Sequence, residues 1–255
     1  MIRVGVLGAA GRMGVTVCEA VADDPDLSLV AAFDPGAGDG LEQSGVPVET
    51  DLDRFLANGL DVVVDFTVAA GSRVNLPQVG ARGIHAVVGT TGFDDADLEL
   101  LGESFTESAC LIAPNFAISA VLMMRFAELA APYFDTAEII ELHHDQKVDA
   151  PSGTATATVD RMAEASTDWA PDPTRHEVVP GARGGQGPAG IRVHSVRMRG
   201  MVAHQEVILG ALGQTLTVRQ DSYDRTSFMP GVTLACKRIA EHSGVIIGLD
   251  ALLDI

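Results

Sequence analysis

Near its start the chain runs from the apolar stretch Ile2-Arg-Val-Gly-Val-Leu7 directly into Gly8-Ala-Ala-Gly11-Arg-Met-Gly14, and no other feature restricts the fold as strongly. The apolar stretch reads as a buried strand. The residues after the glycines place Met13, Val17 and Val21 on one face of a helix. A strand, a glycine turn and an amphipathic helix in that order open a dinucleotide-binding unit: the glycines allow a tight turn, close approach of backbone to a pyrophosphate, and close helix packing. The spacing here is G-x-x-G-x-x-G, a variant of G-x-G-x-x-G. A second strand, Leu27 to Phe33, ends at Asp34, 20 residues beyond Gly14, where a carboxylate is expected to hold the adenosine ribose hydroxyls.

Strand and helix patterns then alternate: Asp61 to Phe66, a helix from about Ala70, Ile84 to Val88, a helix from Asp94, and Cys110 to Ala113. This predicts an α/β fold with an N-terminal, Rossmann-like, doubly wound parallel sheet, whose ligands bind beyond the carboxyl ends of the strands. Three loops fall there, Phe66-Thr67, Gly89-Thr90-Thr91-Gly92 and Ala113-Pro114-Asn115-Phe116, as candidate walls of a nicotinamide pocket. After Phe116 the pattern changes. A helix with Val121, Met124 and Leu129 on its buried side leads to a strand from Thr136 to Leu142. The Pro- and Gly-rich stretch from Trp169 to Gly190 reads as a mobile lid or surface arm. Three strands follow, Ile191 to Arg199, Val202 to Leu209 and Thr215 to Gln220, joined at Gly200 and Gly213. Strands in immediate succession predict antiparallel pairing, hence a second α+β domain with a mixed sheet. A last helix carries Phe228, Val232, Ala235 and Ile239 and is expected to pack back on the first domain. The expected division is residues 1–115 with 222–255, and residues 116–221.

Chemistry concentrates in Glu141-Leu-His-His-Asp-Gln-Lys-Val-Asp-Ala-Pro-Ser-Gly-Thr-Ala155, where a strand hands over to a helix. With the backbone extended past Leu142, His143, Asp145 and Lys147 share one side and His144 faces the other, which sets two proton donors together. The chain holds 15 Arg and two Lys, Lys147 and Lys237. Lys, unlike Arg, readily gives up a proton when its surroundings demand it. Ser152 is a good N-cap, and the N–H groups of Gly153 and Thr154 at a helix N-terminus suit an anion.

Composition excludes several classes. With 255 residues and 47% hydrophobic content the chain can bury one large core or two modest ones. Its apolar runs are too short to span a bilayer. Met1 leads into Ile2 to Leu7 with no basic segment and cleavage site, so no secretory signal is expected and the cytoplasm is the default. A net charge of −18 repels nucleic acid and anionic membranes, so an anionic substrate must meet a local positive site. Cys18, Cys110 and Cys236 are widely spaced in apolar surroundings, which reads as reduced core thiols and not as disulfides or a metal site.

Taken in order, Gly8 to Gly14, Gly89-Thr-Thr-Gly92, Ala113-Pro-Asn-Phe116 and the Glu141 to Ala155 stretch give the whole chain a resemblance to the dihydrodipicolinate reductases. It is most similar to the actinobacterial branch, through Ala117-Ile-Ser-Ala-Val and Asp221-Ser-Tyr-Asp-Arg-Thr-Ser-Phe-Met-Pro-Gly231. The resemblance implies hydride delivery from NAD(P)H to C4 of a cyclic, conjugated imine dicarboxylate in diaminopimelate and lysine biosynthesis, with loss of water overall. It makes His143 the acid/base and Lys147 the proton donor, with His144, Gly153 and Thr154 holding the substrate. It assigns the cofactor to Gly8, Ala9, Ala10, Gly11, Arg12, Met13, Asp34, Phe66, Gly89, Thr90, Thr91, Ala113, Pro114, Asn115 and Phe116. It also implies a homotetramer formed through the sheets of the second, substrate-binding domain.

Two other readings fit the fold. A semialdehyde dehydrogenase needs a nucleophilic Cys in an electropositive setting. A non-catalytic NAD(H)-sensing module would have no use for His143 and Lys147. For cofactor choice, Asp34 suits the ribose hydroxyls of NADH and opposes the 2′-phosphate of NADPH. Pro35 follows it where many of the resembled enzymes carry Arg, which leaves Arg12 as the nearby cation. Both cofactors are expected to work, NADH equally well or better, by a coupling of about 1 kcal/mol. kcat/KM for each cofactor in wild type and Arg12→Ala checks this: a tenfold preference for NADPH in wild type contradicts it, and an equal loss with both cofactors in the variant assigns Arg12 to the pyrophosphate.

Overall fold

The computed structural model describes residues 1–253. They form two compact units, Met1–Ile118 together with the chain from Arg225 onward, and Ser119–Asp224.

In the first unit β1 (Ile2–Leu7) leads through α1 (Arg12–Asp23) to β2 (Leu27–Phe33). A short hairpin, β3 (Glu42–Gln43) with β4 (Val46–Glu49), and α2 (Leu52–Leu56) come next. The chain continues through β5 (Val62–Asp65), α3 (Ala69–Gly80), β6 (His85–Val88), α4 (Asp95–Ser104) and β7 (Ala109–Ile112). The sheet order is β13-β7-β6-β5-β1-β2-β4-β3, parallel throughout except for β3. Here β13 is Gly244–Ile247, which pairs with β7 after the chain has returned through α7 (Met229–Arg238).

Side-chain alternation divides the apolar residues between two layers. Leu7, Val63, Ala86, Val88, Cys110 and Ile112 point into a core closed by Phe55 of α2, Leu76 and Val79 of α3, and Leu101 of α4. On the other face α1 and α7 lie together, burying Val17, Cys18 and Val21 of one and Val232, Ala235 and Cys236 of the other. Helices on both faces make the sheet doubly wound, as expected from the alternation. The hairpin and β13 have no counterpart among the expected strands: β3 is two residues long, β4 is interrupted by Pro47, and β13 is a four-residue run reached only after the whole second unit.

The second unit comprises α5 (Ile118–Ala130, its first residue in the first unit), β8 (Thr136–His143), α6 (Gly153–Ala165), β9 (Gly185–Gln186), β10 (Arg192–Arg197), β11 (Ala203–Ala211) and β12 (Gln214–Ser222). Its sheet is mixed, in the order β12-β11-β8-β10-β9. The expected run of successive antiparallel pairs holds for β11 with β12 and fails for β10 with β11. β8 lies between them, parallel to β10 and antiparallel to β11. Central placement satisfies both backbone edges of β8, whose buried face carries Ala137, Ile139 and Glu141. In α5 the buried stripe is Ala120, Val121, Met123, Met124 and Ala127, which leaves Leu129 off the stripe and 53% exposed, contrary to its expected burial.

The proline- and glycine-rich segment is an arm fastened to this sheet. Gly185 and Gln186 pair with β10, the Trp169 indole donates to the Ser166 carbonyl at 2.8 Å, and Arg183 pairs with Glu138. Asp172 in the arm accepts from Arg192 of β10 at 2.7 Å.

One contact in the first unit is intolerant of change. A Cβ on Gly14 would lie 2.0 Å from the Gly8 carbonyl oxygen, so α1 meets the glycine turn only because this residue has no side chain. Gly14→Ala is expected to destabilise the protein by about 1–3 kcal/mol in urea unfolding, as overpacking against backbone does. A change within about 0.5 kcal/mol would show that the helix shifts freely.

Candidate functional site

The candidate residues fall into two groups, one in each unit. In the first unit the carboxyl ends of β1, β2 and β5 surround a cleft of about 310 Å³ lined by Gly8, Gly11, Phe33, Asp34, Pro35, Phe66, Thr67, Val68, Gly71 and Asn75. β2 lies on one side of β1 and β5 on the other, so the cleft sits where the order of strands reverses, the usual ligand position of such sheets. Asp34 Oδ2 accepts from the Ala10 N–H at 3.1 Å and Oδ1 from the Gly36 N–H at 2.9 Å, which fixes the carboxylate at the rim. The N-cap of α1 is Gly11, which offers no side-chain acceptor to the first turn. By contrast α4 carries a capping box of Asp94 and Asp97. An uncapped N-terminus after a glycine loop suits a pyrophosphate, so these residues fit the group implied by the sequence. Arg12 is exposed, Met13 half-buried and Ala9 buried.

The two remaining predicted walls follow β6 and β7 and do not line this cleft. Gly89 lies against Phe66, for a Cβ there would come within 2.1 Å of the ring. Phe66 and Phe116 stack at a tilt with ring centres 5.7 Å apart. Thr90 is buried and Thr91 exposed. Ala113 donates its N–H to the Val88 carbonyl at 3.0 Å, Pro114 is exposed, and the Asn115 side chain accepts from the Ala117 N–H at 2.8 Å. Beneath these loops sits Asp65, fully buried, whose Oδ1 accepts from the Thr67 N–H (2.8 Å), the Thr67 hydroxyl (2.6 Å) and the Thr90 hydroxyl (3.0 Å). It joins two of the walls. Its sequence context, the last residue of a buried apolar strand, was the available signal.

In the second unit β8 extends one residue further than expected and delivers His143 on the strand's buried side. The strand then stops. The Lys147 N–H donates to the His144 carbonyl at 3.2 Å, closing a turn over 144–147. The expected alternation of His143, Asp145 and Lys147 along an extended segment is therefore incorrect, because a turn at Asp145 and Gln146 replaces the pleat. His144 is exposed, and Lys147 is half-buried with its ammonium on both oxygens of Asp149, at 2.8 and 2.7 Å. Ser152 caps α6 by accepting from the Ala155 N–H at 3.2 Å, which places Gly153 and Thr154 in the helix's first turn.

His143 Nδ1 lies 2.5 Å from Glu141 Oε2. Glu141, named only as the first residue of the motif, is fully buried and also accepts a fork of two bonds from Arg197 of β10, at 2.8 and 2.7 Å. Burial is the main influence on His143 and holds it below its ordinary value, against the opposing pull of Glu141. Burial acts to raise Glu141, and the bonds from Arg197, Ser195 and His143 outweigh it, leaving the carboxyl below its usual range. Burial thus weakens the hold of the imidazole on its proton, and Glu141 partly restores it.

The cysteines are all buried and free. Burial pushes Cys18 and Cys236 up to about 12, and Cys110 up as well. No thiolate suited to acyl transfer is formed by these three, which removes the semialdehyde dehydrogenase reading. Among the described residues no cluster of His, Cys, Asp and Glu is arranged to hold a metal.

Two family models cover the chain, "Dihydrodipicolinate reductase, N-terminus" over residues 2–116 and "Dihydrodipicolinate reductase, C-terminus" over residues 119–253. The chain belongs to the dihydrodipicolinate reductase family. It is 50% identical to the 4-hydroxy-tetrahydrodipicolinate reductase of Corynebacterium aurimucosum over 100% of this chain and 99% of that one. It is likewise 50% identical to the Mycobacterium marinum enzyme of the same name, over the full length of both. Among solved structures, the dipicolinate-bound dihydrodipicolinate reductase from Paenisporosarcina sp. TG-14 superposes with a TM-score of 0.88 at 38% identity, covering 98% of this chain and 99% of that chain. These relatives also remove the non-catalytic sensing reading, since the match runs through both units.

Proposed function

We propose that the chain acts as a 4-hydroxy-tetrahydrodipicolinate reductase in which His143 is the acid/base, Lys147 the proton donor, and His144, Gly153 and Thr154 the holders of the substrate. The activity is that of its family, an NAD(P)H-dependent reduction in diaminopimelate and lysine biosynthesis. The assignment of roles is carried by one observation. A carboxylate-held imidazole, a lysine and the first turn of a helix all lie within the short span from His143 to Thr154.

When bound, the cofactor supplies the hydride that reaches C4 of the conjugated imine. Electron density then passes onto the ring, and the Lys147 ammonium is the cation that stabilises it and returns a proton to carbon. Loss of water comes before the hydride step, as the C4–OH bond breaks and the adjacent ring carbon gives up a proton; His143 is the group that takes up that proton and can pass it to the departing hydroxide. The N–H groups at the start of α6 favour a substrate carboxylate, in keeping with the dicarboxylate held by the Paenisporosarcina relative. Gly8 to Met13, Asp34 and Phe66 hold the cofactor, with Gly89 to Thr91 and Ala113 to Phe116 around its nicotinamide; NADH serves as well as NADPH or better. Domain roles follow: residues 1–115 with 222–255 bind the dinucleotide, and residues 116–221 bind substrate and form the oligomer. No helix among the described residues is long and apolar enough to cross a membrane. We further propose that the enzyme works in the cytoplasm, where NAD(P)H is available.

His143→Ala and Lys147→Ala are each expected to lower kcat by ~10²–10⁴-fold with the cofactor still bound, the usual loss when a positioned proton donor is removed. The assay is oxidation of NADH or NADPH with freshly made substrate, and a wild-type kcat in Lys147→Ala would remove that residue from the mechanism.

Assembly is proposed from the second sheet. Its face away from α6 presents half-buried Ile140, Leu142, Val196 and Ile208 between ion pairs such as Arg219 with Glu206. A sheet covered on one face gains by docking the other, and a homotetramer is the proposed result. Light scattering at micromolar concentration is expected to give four chains; a monomer would refute it.

A further inference from the structure

Glu141 lies on the face of β8 that carries Ala137 and Ile139, where an apolar side chain would pack without penalty. A buried carboxylate there is poor evidence of added stability, since an apolar replacement of similar volume is often as stable as a buried ion pair. Its bonds suggest another use. Oε1 accepts from Arg197 Nη2 at 2.7 Å and from the Ser152 N–H at 3.2 Å; Oε2 accepts from Arg197 Nη1 at 2.8 Å and faces His143 Nδ1 at 2.5 Å. Arg197 Nη2 also donates to the Asp149 carbonyl at 2.7 Å. One carboxylate therefore touches the imidazole and the cap residue of α6, and its arginine partner touches the residue that holds Lys147.

We infer that Glu141 is a positioning residue for the reaction: it accepts a hydrogen bond from the Nδ1–H of His143, so that Nε2 is the nitrogen that exchanges a proton with substrate, and it ties that imidazole to the first turn of α6. The inference rests on the roles given to His143 and α6 above. An acceptor-only carboxylate facing Nδ1 leaves one neutral tautomer, whereas a glutamine amide serves either. Arg197 is the component that makes this work in a buried place, because its fork keeps Glu141 ionised. The charged groups that face His143 are Glu141 on its own strand, Lys147 from the following turn, and Arg197 from β10. Glu141 is the anion among them, with Asp149 answering Lys147.

The test is nitrogen-15 NMR of the imidazoles in the full-length protein, His143 being identified by the signal missing from His143→Asn. In wild type the neutral ring is expected to carry its proton on Nδ1. In Glu141→Gln its titration is expected to move down by about one unit or more, as loss of an adjacent opposite charge produces, with both tautomers present. In parallel, kcat should fall on the order of 10²-fold or more and its pH-dependent limb shift to lower pH, with KM for NADH unchanged. An unchanged titration and tautomer in Glu141→Gln overturns the inference. So does a wild-type ring protonated on Nε2, a measurement that decides the matter even where the Gln variant does not fold. Wild-type kcat in His143→Ala would instead sink the role given to His143, which separates the two failures.

Discussion

Parallel pairing of β1, β2, β5, β6 and β7 is the constraint from which the first unit's architecture follows. Parallel neighbours cannot be joined by tight turns, so each strand must be followed by a crossover and every carboxyl end falls on one edge. The glycine turn, Asp34, Phe66, the Gly89 loop and Phe116 thus arrive at that edge from distant parts of the chain. The same geometry explains why Asp65 can bond to Thr67 in its own loop and Thr90 in the next. Its second oxygen is buried with no hydrogen-bond partner among the described residues. A buried acceptor left in that condition disfavours any loop arrangement in which the first oxygen also loses its donors.

The second unit solves a different problem. Its sheet must bring a charged cluster to a face that is otherwise core. The sequence alternates Ala137, Ile139, Glu141 and His143 on that face, so the core ends where the chemistry begins. Gln205 and Thr158 continue the transition: the Gln205 amide donates to the Thr158 hydroxyl at 2.8 Å, which donates to the Thr154 carbonyl at 2.7 Å. The helix that presents Gly153 and Thr154 is thereby referenced to β11 as well as to Glu141. Precision of this kind comes from side chains whose positions are fixed by several bonds each.

Much of this was legible in the residues alone. The parallel sheet was legible through the alternation of short apolar strands with helical segments, and Ser152 was legible as a cap because Ser is a favoured N-cap residue where a strand pattern gives way to a helical one. The family was legible in the ordered motifs. What could not be read depends on contacts between residues far apart in sequence. Nothing local states that β8 separates β10 from β11, since that choice is made by which faces bury best together. The turn over 144–147 was missed because alternation was extended through residues whose backbone bonds favour closure. Arg197 has no local mark at all; it is 56 residues from Glu141 and is recognised only by the fork it makes.

The last strand among the described residues, β13, lies at an edge of the large sheet beside β7. During synthesis the four residues Ala109–Ile112 are therefore made long before their partner Gly244–Ile247 exists, with all of the second unit's sequence emerging in between. Until then β7 presents an apolar, unpaired edge of the type that joins foreign strands. The apolar floor that α7 covers is open until Met229–Arg238 have been made. A nascent chain of this protein is thus committed to a period of stickiness set by the length of the insert, and truncation before residue 244 would make that state permanent.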